Sequence, residues 1–352
     1  LLQLIHIYCG GLPFMAEVIR QTRIALRDTD LLVGSYFYPH FRAIAEKAGV
    51  PFATFAFCHN LTPTDLHPPA GLPHLRGLPS ALRRPYCRVS WKISNQIVDF
   101  ALNSICRSLF REHGLPPMRG FLLEPAELEL VAVAKVFAEN WRPGPRFQFT
   151  GYLRWQSPPN PRLEQELLEF CAGEPVPVLT FGSVTFDDVH VIMDRFLRHW
   201  PAGRKIIIQS GWAGLSVDVA HPHIKIIGSV SHDQLFRHAS CVIHHGGAGT
   251  TASVLFAGKP HIIIPHIADQ FFWGAEIKRL RVGLVLNKKV WPEKLPAKLA
   301  KIEAKKKIRR RAAELGARIR AEEGPATAVR LLEEFVARQP ARSVPEPVAA
   351  MD

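Results

Sequence analysis

Two kinds of apolar pattern run along this chain, and they divide it into halves. In the second half, short and nearly continuous apolar runs alternate with amphipathic ones. That is the pattern of parallel strands buried on both faces and joined by crossover helices. It predicts strands over 176–181, 205–209, 224–227, 241–244, 261–264 and 282–286. Helices are predicted over 188–199, from His232, from the glycines after 244 to Phe256, from Asp269 to near Gly283, and then through Val336. Turn residues stand where strands end: Gly182-Ser183, Ser210-Gly211 and Gly246-Gly247-Ala248-Gly249.

The first half is less regular. Strands over 31–34 and 51–56 flank an amphipathic helix over 41–48 closed by Gly49, and a long helical stretch is predicted over 88–113. Proline and glycine are dense between 61 and 85, which suits a loop lining a site. The apolar start LLQLIHIYCGG reads as a strand that carries His6. A chain of 352 residues suits two α/β domains rather than one core. The expected division is a partial N-terminal domain over 1–150, a linker over 151–163, a second domain over 164–338 and a disordered tail over 339–352. With no initiator Met, no basic leader and no cleavage site, the chain is expected to begin inside a longer protein.

Composition narrows the class. A hydrophobic content of 47% against 21% charged residues is that of a globular protein, and no apolar run approaches the roughly 18–20 residues of a membrane span. The cysteines Cys9, Cys58, Cys87, Cys106, Cys171 and Cys241 are scattered without C-x-x-C spacing. They read as core filler in a reducing cytosol, not as a zinc site or a disulfide scaffold. The net charge of +13 gathers over 301–320 and in the arginines near 75–88. No nucleic-acid module accompanies it, so a nucleic-acid partner is not expected; a solvated helix face and peripheral contact with an anionic membrane stand level.

The stretch VIHHGGAGTT, 242–251, carries the chemistry. A strand ends there, a glycine-rich turn follows, and a helix starts. The first amide N–H groups of a helix lack internal partners and sit at the positive end of its dipole, so small residues there let a phosphate approach the backbone. His245 can add a hydrogen bond to a diphosphate oxygen. The dinucleotide pattern G-x-G-x-x-G is absent. Three further loops stand at strand ends on the same edge of the sheet: Gly182-Ser183, Ser210-Gly211-Trp212 and 265–270. Asp269 and Gln270 supply the polar pair suited to sugar hydroxyls, with a helix N-cap as the plainer role for Asp269 alone.

FGS, SGW, VSHDQLF, HHGGAGTT and HIADQFFWG occur in the order and spacing of family 1 glycosyltransferases. The chain resembles the microbial sterol and macrolide/glycopeptide members of that family, over about 31–336 and most strongly in the second half. The resemblance implies the GT-B fold, two facing Rossmann-like domains, here with the N-terminal one incomplete. It implies that Ser183, His245, Gly246, Gly247, Ala248, Gly249 and Thr250 hold the donor diphosphate, that Asp269 and Gln270 contact the donor sugar, and that Trp212 and Val230 border the nucleobase. The implied activity moves a hexose from a nucleoside diphosphate sugar, UDP-glucose or similar, to a hydroxyl of an apolar acceptor with inversion. No cofactor or metal is implied beyond the nucleotide sugar itself.

Several positions depart from the plant branch. Val230 stands where a tryptophan stacks on the base, Ser253 where a glutamate meets the ribose, and Ser35 where an aspartate assists the catalytic base. The family's basic histidine has no counterpart before Leu31, so the base is expected upstream of Leu1. His59 and His67 are candidates for the acceptor pocket beside a plain reading as loop residues. A GT-B nucleotide-sugar epimerase and a non-catalytic nucleotide-sugar-binding remnant are the competing readings.

Overall fold

The computed structural model describes residues 2–35, 38, 40–75, 77–139, 141–182, 184, 188–211, 214–215 and 221–340. They form two compact units, Leu1–Leu153 with Glu323–Asp352, and Arg154–Glu322.

The first unit opens with a helix, α1 (Leu2–Ala25), where the sequence reading places a strand. Leu12, Met15 and Ile19 explain the difference: they pack into one core at the three- and four-residue spacing of a helix face, not the alternation of a strand. A parallel sheet follows, made of β1 (Leu32–Ser35), β2 (Phe52–Ala56), β3 (Leu128–Val131) and β4 (Phe147–Phe149) in that spatial order. Between strands lie α2 (His40–Ala48), the long α3 (Ser80–Glu112) and the short α4 (Lys135–Ala138). α3 begins well ahead of the expected 88 and takes Pro85 into its second turn.

The second unit holds α5 (Pro161–Cys171), β5 (Val176–Thr180), α6 (Val189–His199), β6 (Ile206–Gln209), β7 (Ile224–Ile227) and α7 (His232–Arg237). It continues with β8 (Ala239–His244), α8 (Ala248–Ala257), β9 (His261–Ile263), α9 (Asp269–Leu280), β10 (Gly283–Val285), α10 (Trp291–Ala304) and α11 (Lys306–Arg320). All six strands are parallel, ordered β10-β9-β8-β5-β6-β7. One side of this sheet packs Leu179, Phe181, Ile206, Ile208, Cys241 and Ile243 against Phe196, Trp291 and Leu295. Each face therefore takes every second residue, which is why the strands read as unbroken apolar runs.

Two boundaries differ from the sequence reading. The last helix, α12 (Gly324–Ala337), belongs to the first unit, not to the second domain. Its Ala328, Leu331, Leu332 and Phe335 form one helical face, and that face covers Ala53, Leu128 and Leu130 of the first sheet. The expected linker is not free chain either. Arg154 pairs with Asp233 and lies over the Phe256 ring at 3.6 Å. Asn160 exchanges two hydrogen bonds with Gln234, each of 3.0 Å.

Glu129 sits at the middle of β3, opposite Thr54 on β2, with 3% of its surface exposed. Burial pushes its carboxyl up to about 8, with Thr54 acting in the opposite direction. A carboxyl at about 8 in the folded chain and 4.5 when unfolded binds more protons folded, so stability is fullest below 4.5 and falls as pH rises through 8. The slope across that window approaches ~1.4 kcal/mol per pH unit. Glu129→Gln should flatten it and raise the melting temperature of the first unit at pH 9 but not at pH 5. Melting curves at the two pH values check this; equal effects at both would show that Glu129 is ionised in the fold.

Candidate functional site

The turn after β8 lies beside the central strand. β5 and β8 are neighbours, with Thr180 opposite His244. From β5 the chain moves outward to β6 and β7; from β8 it moves the other way to β9 and β10. The crevice at such a reversal, outside the carboxyl ends of the strands, is where open α/β sheets bind ligands.

Glycine is required on both sides of that crevice. Gly246 has φ +94°, and a Cβ there would lie 2.7 Å from Ile263 Cγ2 and 3.2 Å from the Gln270 carbonyl oxygen. Gly182, at φ +57°, would bring a Cβ to 3.1 Å from His245 Cε1. The His245 ring also lies directly against Gly247. Gly247 is the N-cap of α8 and offers no side chain to the first turn; the Ala248 N–H is taken by Asp269, and the next amides of the turn have no partner within the helix.

His245 is buried, and burial together with His266 and His232 holds it down at about 4. Its Nδ1 makes no hydrogen bond among the described residues. A buried ring nitrogen without a partner in a polar turn is an unmet donor or acceptor, which is what an absent ligand leaves behind. Thr250 and Thr251 of α8 are buried as well, and Thr251 Oγ1 has no partner among the described residues. Gly249 is exposed, and its carbonyl accepts from Ser253 Oγ at 3.0 Å.

Beneath the turn lies a device that sequence reasoning missed. The Gly246 N–H donates to His244 Nδ1 at 3.2 Å, so the proton of that ring sits on Nε2 and is given to His261 Nδ1 at 3.1 Å. Both rings are fully buried and held well below the usual histidine range by that burial. The doubled histidine in HHGG thus splits into an outer ring facing the turn and an inner one that holds it.

α9 closes the other side. Gln270 is buried, and its Oε1 accepts from the N–H groups of His266 at 2.7 Å and Ile267 at 3.1 Å. Its side-chain carbonyl therefore shapes the loop that precedes α9. Half-buried Asp269 is raised by burial against hydrogen bonds from its own N–H, from Trp273 and from the Ala248 N–H. The carboxylate thereby ties the start of α9 to the start of α8.

A polar chain also links three strand ends. Gly182 N–H donates to Thr180 Oγ1 at 3.4 Å, Thr180 Oγ1 donates to Gln209 Oε1 at 2.9 Å, and Gln209 Nε2 donates to the Val230 carbonyl at 3.2 Å. Thr180 and Gln209 are buried. The segment expected to border the nucleobase is thus tied to the turn expected beside the diphosphate. A glutamine closing an otherwise aliphatic strand, IIIQ, was the only sequence signal of it. Ser183 and Trp212 lie outside the described residues.

In the first unit, His59 has no exposed surface and is packed by the rings of Phe137, Trp141 and Phe149 at 5.1, 4.8 and 5.7 Å. It is a core histidine, not a pocket wall. Half-buried His67 stacks on Trp141 at 4.8 Å.

Comparison with known proteins agrees with this geometry. Residues 205–335 match the family model of the erythromycin biosynthesis protein CIII-like C-terminal domain. Over 303 residues the chain is 32% identical to a vancomycin aglycone glucosyltransferase of Amycolatopsis orientalis, covering 85% of this chain and 72% of that protein. It is 30% identical over 285 residues to a sterol 3-beta-glucosyltransferase of Arabidopsis thaliana, covering 77% of this chain but 44% of the plant protein. The glycosyltransferase VinC, solved in complex with DTDP, superposes with a TM-score of 0.66 at 15% identity, over 96% of this chain and 79% of VinC. The sequence likeness, the two parallel-sheet units and the family model converge: the chain belongs to the family 1 glycosyltransferases of the GT-B fold.

Proposed function

We propose that this chain binds a nucleoside diphosphate sugar at the C-terminal edge of its second sheet and transfers the hexose, with inversion, to a hydroxyl of an apolar acceptor. The observation that carries the reading is one convergence: the first turn of α8, which has no side-chain cap from Gly247, the buried His245 ring and its unpartnered Nδ1 meet in the crevice between β5 and β8. In the proposed reaction the acceptor oxygen bonds to the anomeric carbon from the face opposite the diphosphate. The bond from that carbon to the diphosphate oxygen breaks, its electron pair leaves with the diphosphate, and the hydroxyl proton passes to a general base. Charge builds on the departing phosphate, where fixed amide dipoles and an imidazole N–H stabilise it without a metal ion.

The relatives support a hexose donor, since both are named for glucosyl transfer, one to vancomycin aglycone and one to sterol. The sterol in one of those names supports an apolar acceptor of the sterol, lipid or polyketide-like kind. The DTDP bound to VinC makes thymidine diphosphate sugars donors to test beside UDP-glucose.

His245→Ala should weaken nucleoside diphosphate binding by about 1.5–3 kcal/mol, the range for a hydrogen bond to a charged group, and leave the free nucleoside nearly unaffected. Calorimetric titration of both ligands checks it; equal losses would remove His245 from the phosphate. Asp269→Ala separates a sugar ligand from a structural tie. Loss confined to the complete sugar nucleotide supports the sugar role, and equal loss of the bare diphosphate assigns Asp269 to holding Ala248.

Gln209→Met keeps the volume of the side chain and removes both of its hydrogen bonds. It should cost UDP and TDP about 1 kcal/mol of binding each, with the affinity for inorganic pyrophosphate unchanged. A parallel loss for pyrophosphate would mean that the whole edge of the sheet has shifted, and that Val230 has no separate part in holding the base.

A further inference from the structure

The outer face of α3 carries a stripe of exposed apolar side chains. Leu82, Val89, Ile93, Ile97 and Phe100 recur at helical spacing, opposite the buried Cys87, Trp91, Val98 and Leu102. Their exposure runs from 48% at Ile97 to 74% at Phe100. From Leu82 to Phe100 the stripe is about 27 Å long at 1.5 Å per residue. Leu72, Leu75 and Leu78 are exposed in the loop that leads into it. An apolar strip of this length on one helix marks an interaction surface rather than scattered exposed residues.

Charge selects the partner. Exposed Arg107 and Arg111 continue the same face, and exposed Lys92 adjoins Ile93. Before the terminal Glu112 the only carboxylate on α3 is Asp99, and it is turned inward to accept from the N–H groups of Gly120 and Phe121 at 2.8 and 3.0 Å. Along the flank of the helix a cavity of about 500 Å³ is lined by Arg84, Arg88, Lys92 and Arg142 with one carboxylate, Asp65. Asp65 is engaged by Arg88 at 2.9 Å and by Arg84 at 3.9 Å, while Lys92 and Arg142 have no ion pair among the described residues. No helix of the described residues is long and apolar enough to cross a membrane. An apolar strip with basic flanks and a cationic cavity beside it fits a helix lying in the plane of a bilayer surface.

We propose that the outer face of α3 docks on an anionic phospholipid bilayer, with Val89, Ile93, Ile97 and Phe100 entering the acyl boundary and the Arg84–Lys92–Arg142 cavity receiving a lipid phosphate. The inference is independent of the donor site in the other unit. An apolar acceptor dissolved in the same bilayer would then be presented without leaving it.

The test is co-sedimentation of the whole chain with vesicles of phosphatidylcholine alone and with phosphatidylglycerol added. Binding is expected to the anionic vesicles only, and raising the salt from about 0.1 to about 0.5 M should release it. The pair Ile93→Glu and Phe100→Glu should abolish partitioning. Lys92→Ser should weaken it about five-fold, the usual share of one cation near such a surface. UDP affinity and melting temperature should stay as in the parent, because these side chains are exposed. Lys306→Ser with Lys307→Ser, on the basic helix α11, should change nothing. The proposal is overturned if neutral and anionic vesicles bind alike, if the α11 pair and not the α3 pair removes binding, or if the α3 pair leaves partitioning intact. It is equally overturned if lipid is ignored and the α3 pair instead disperses a dimer seen by sedimentation velocity, which would make the face a protein contact.

Discussion

The hydrogen bond from Gly246 N–H to His244 Nδ1 is the constraint on which the proposed donor site depends. It fixes a turn whose φ only glycine adopts readily, and it does so at a place where the backbone passes within van der Waals distance of Ile263 and of the first turn of α9. With that turn set, the His245 ring is held between Gly182 and Gly247, and α8 starts with its amides facing the crevice. The His244 ring is fixed in turn by His261 on the neighbouring strand. Two neutral imidazoles therefore orient one amide inside the sheet, a use of histidine that needs no titration near neutral pH and exposes neither ring to solvent.

Much of the second unit was legible because both faces of its sheet are covered. Every strand then needs an apolar residue at each position, and a glycine or proline must punctuate each exit, so VPVLT-FG and VIHHGG announce themselves. What stayed hidden has a common cause: it depends on partners distant in sequence. α12 has an apolar face that would suit either sheet, and nothing local tells which one it covers. α1 begins with so many apolar residues that a strand and a helix fit its first turns equally, and only Met15 and Ile19 packing on the α3 core decide. The relay from Thr180 through Gln209 to Val230 joins three separate strands. No spacing rule reaches that far.

The charge of the chain shows the same division between local and distant causes. In the second unit the basic run over 306–320 resolves into a helix whose Ile308, Ala312, Leu315 and Ile319 are buried, so its lysines and arginines fall on the solvent side by periodicity alone. Gly316 of that helix comes against Gly258 at the end of α8, and Arg320 donates to the Phe256 carbonyl. The basic helix thus buttresses the far end of the helix whose N-terminus borders the candidate site. In the first unit the cations of α3 accompany an exposed apolar face instead. Equal basicity in the sequence carries two physical meanings, and burial of the intervening apolar residues tells them apart.

Under the proposed function, the departures from the plant pattern fit a site that would recognise its nucleotide through backbone rather than side chains. Where an indole would stack, Val230 presents a side chain that packs partly into the core and a carbonyl already held by Gln209. Where a glutamate would meet the ribose, the Ser253 hydroxyl is turned back onto the Gly249 carbonyl of its own helix. A site of this kind discriminates between bases only as well as its backbone is fixed, because an amide or carbonyl that can drift by a few tenths of an ångström accommodates more than one hydrogen-bonding pattern. The buried chain through Thr180 and Gln209 supplies that rigidity, since displacing Val230 would leave the Gln209 amide unpaired in the interior. On the proposed reading, selectivity for the donor would reside less in the residues that touch the base than in the two polar side chains, one strand away, that keep its edge of the sheet in place.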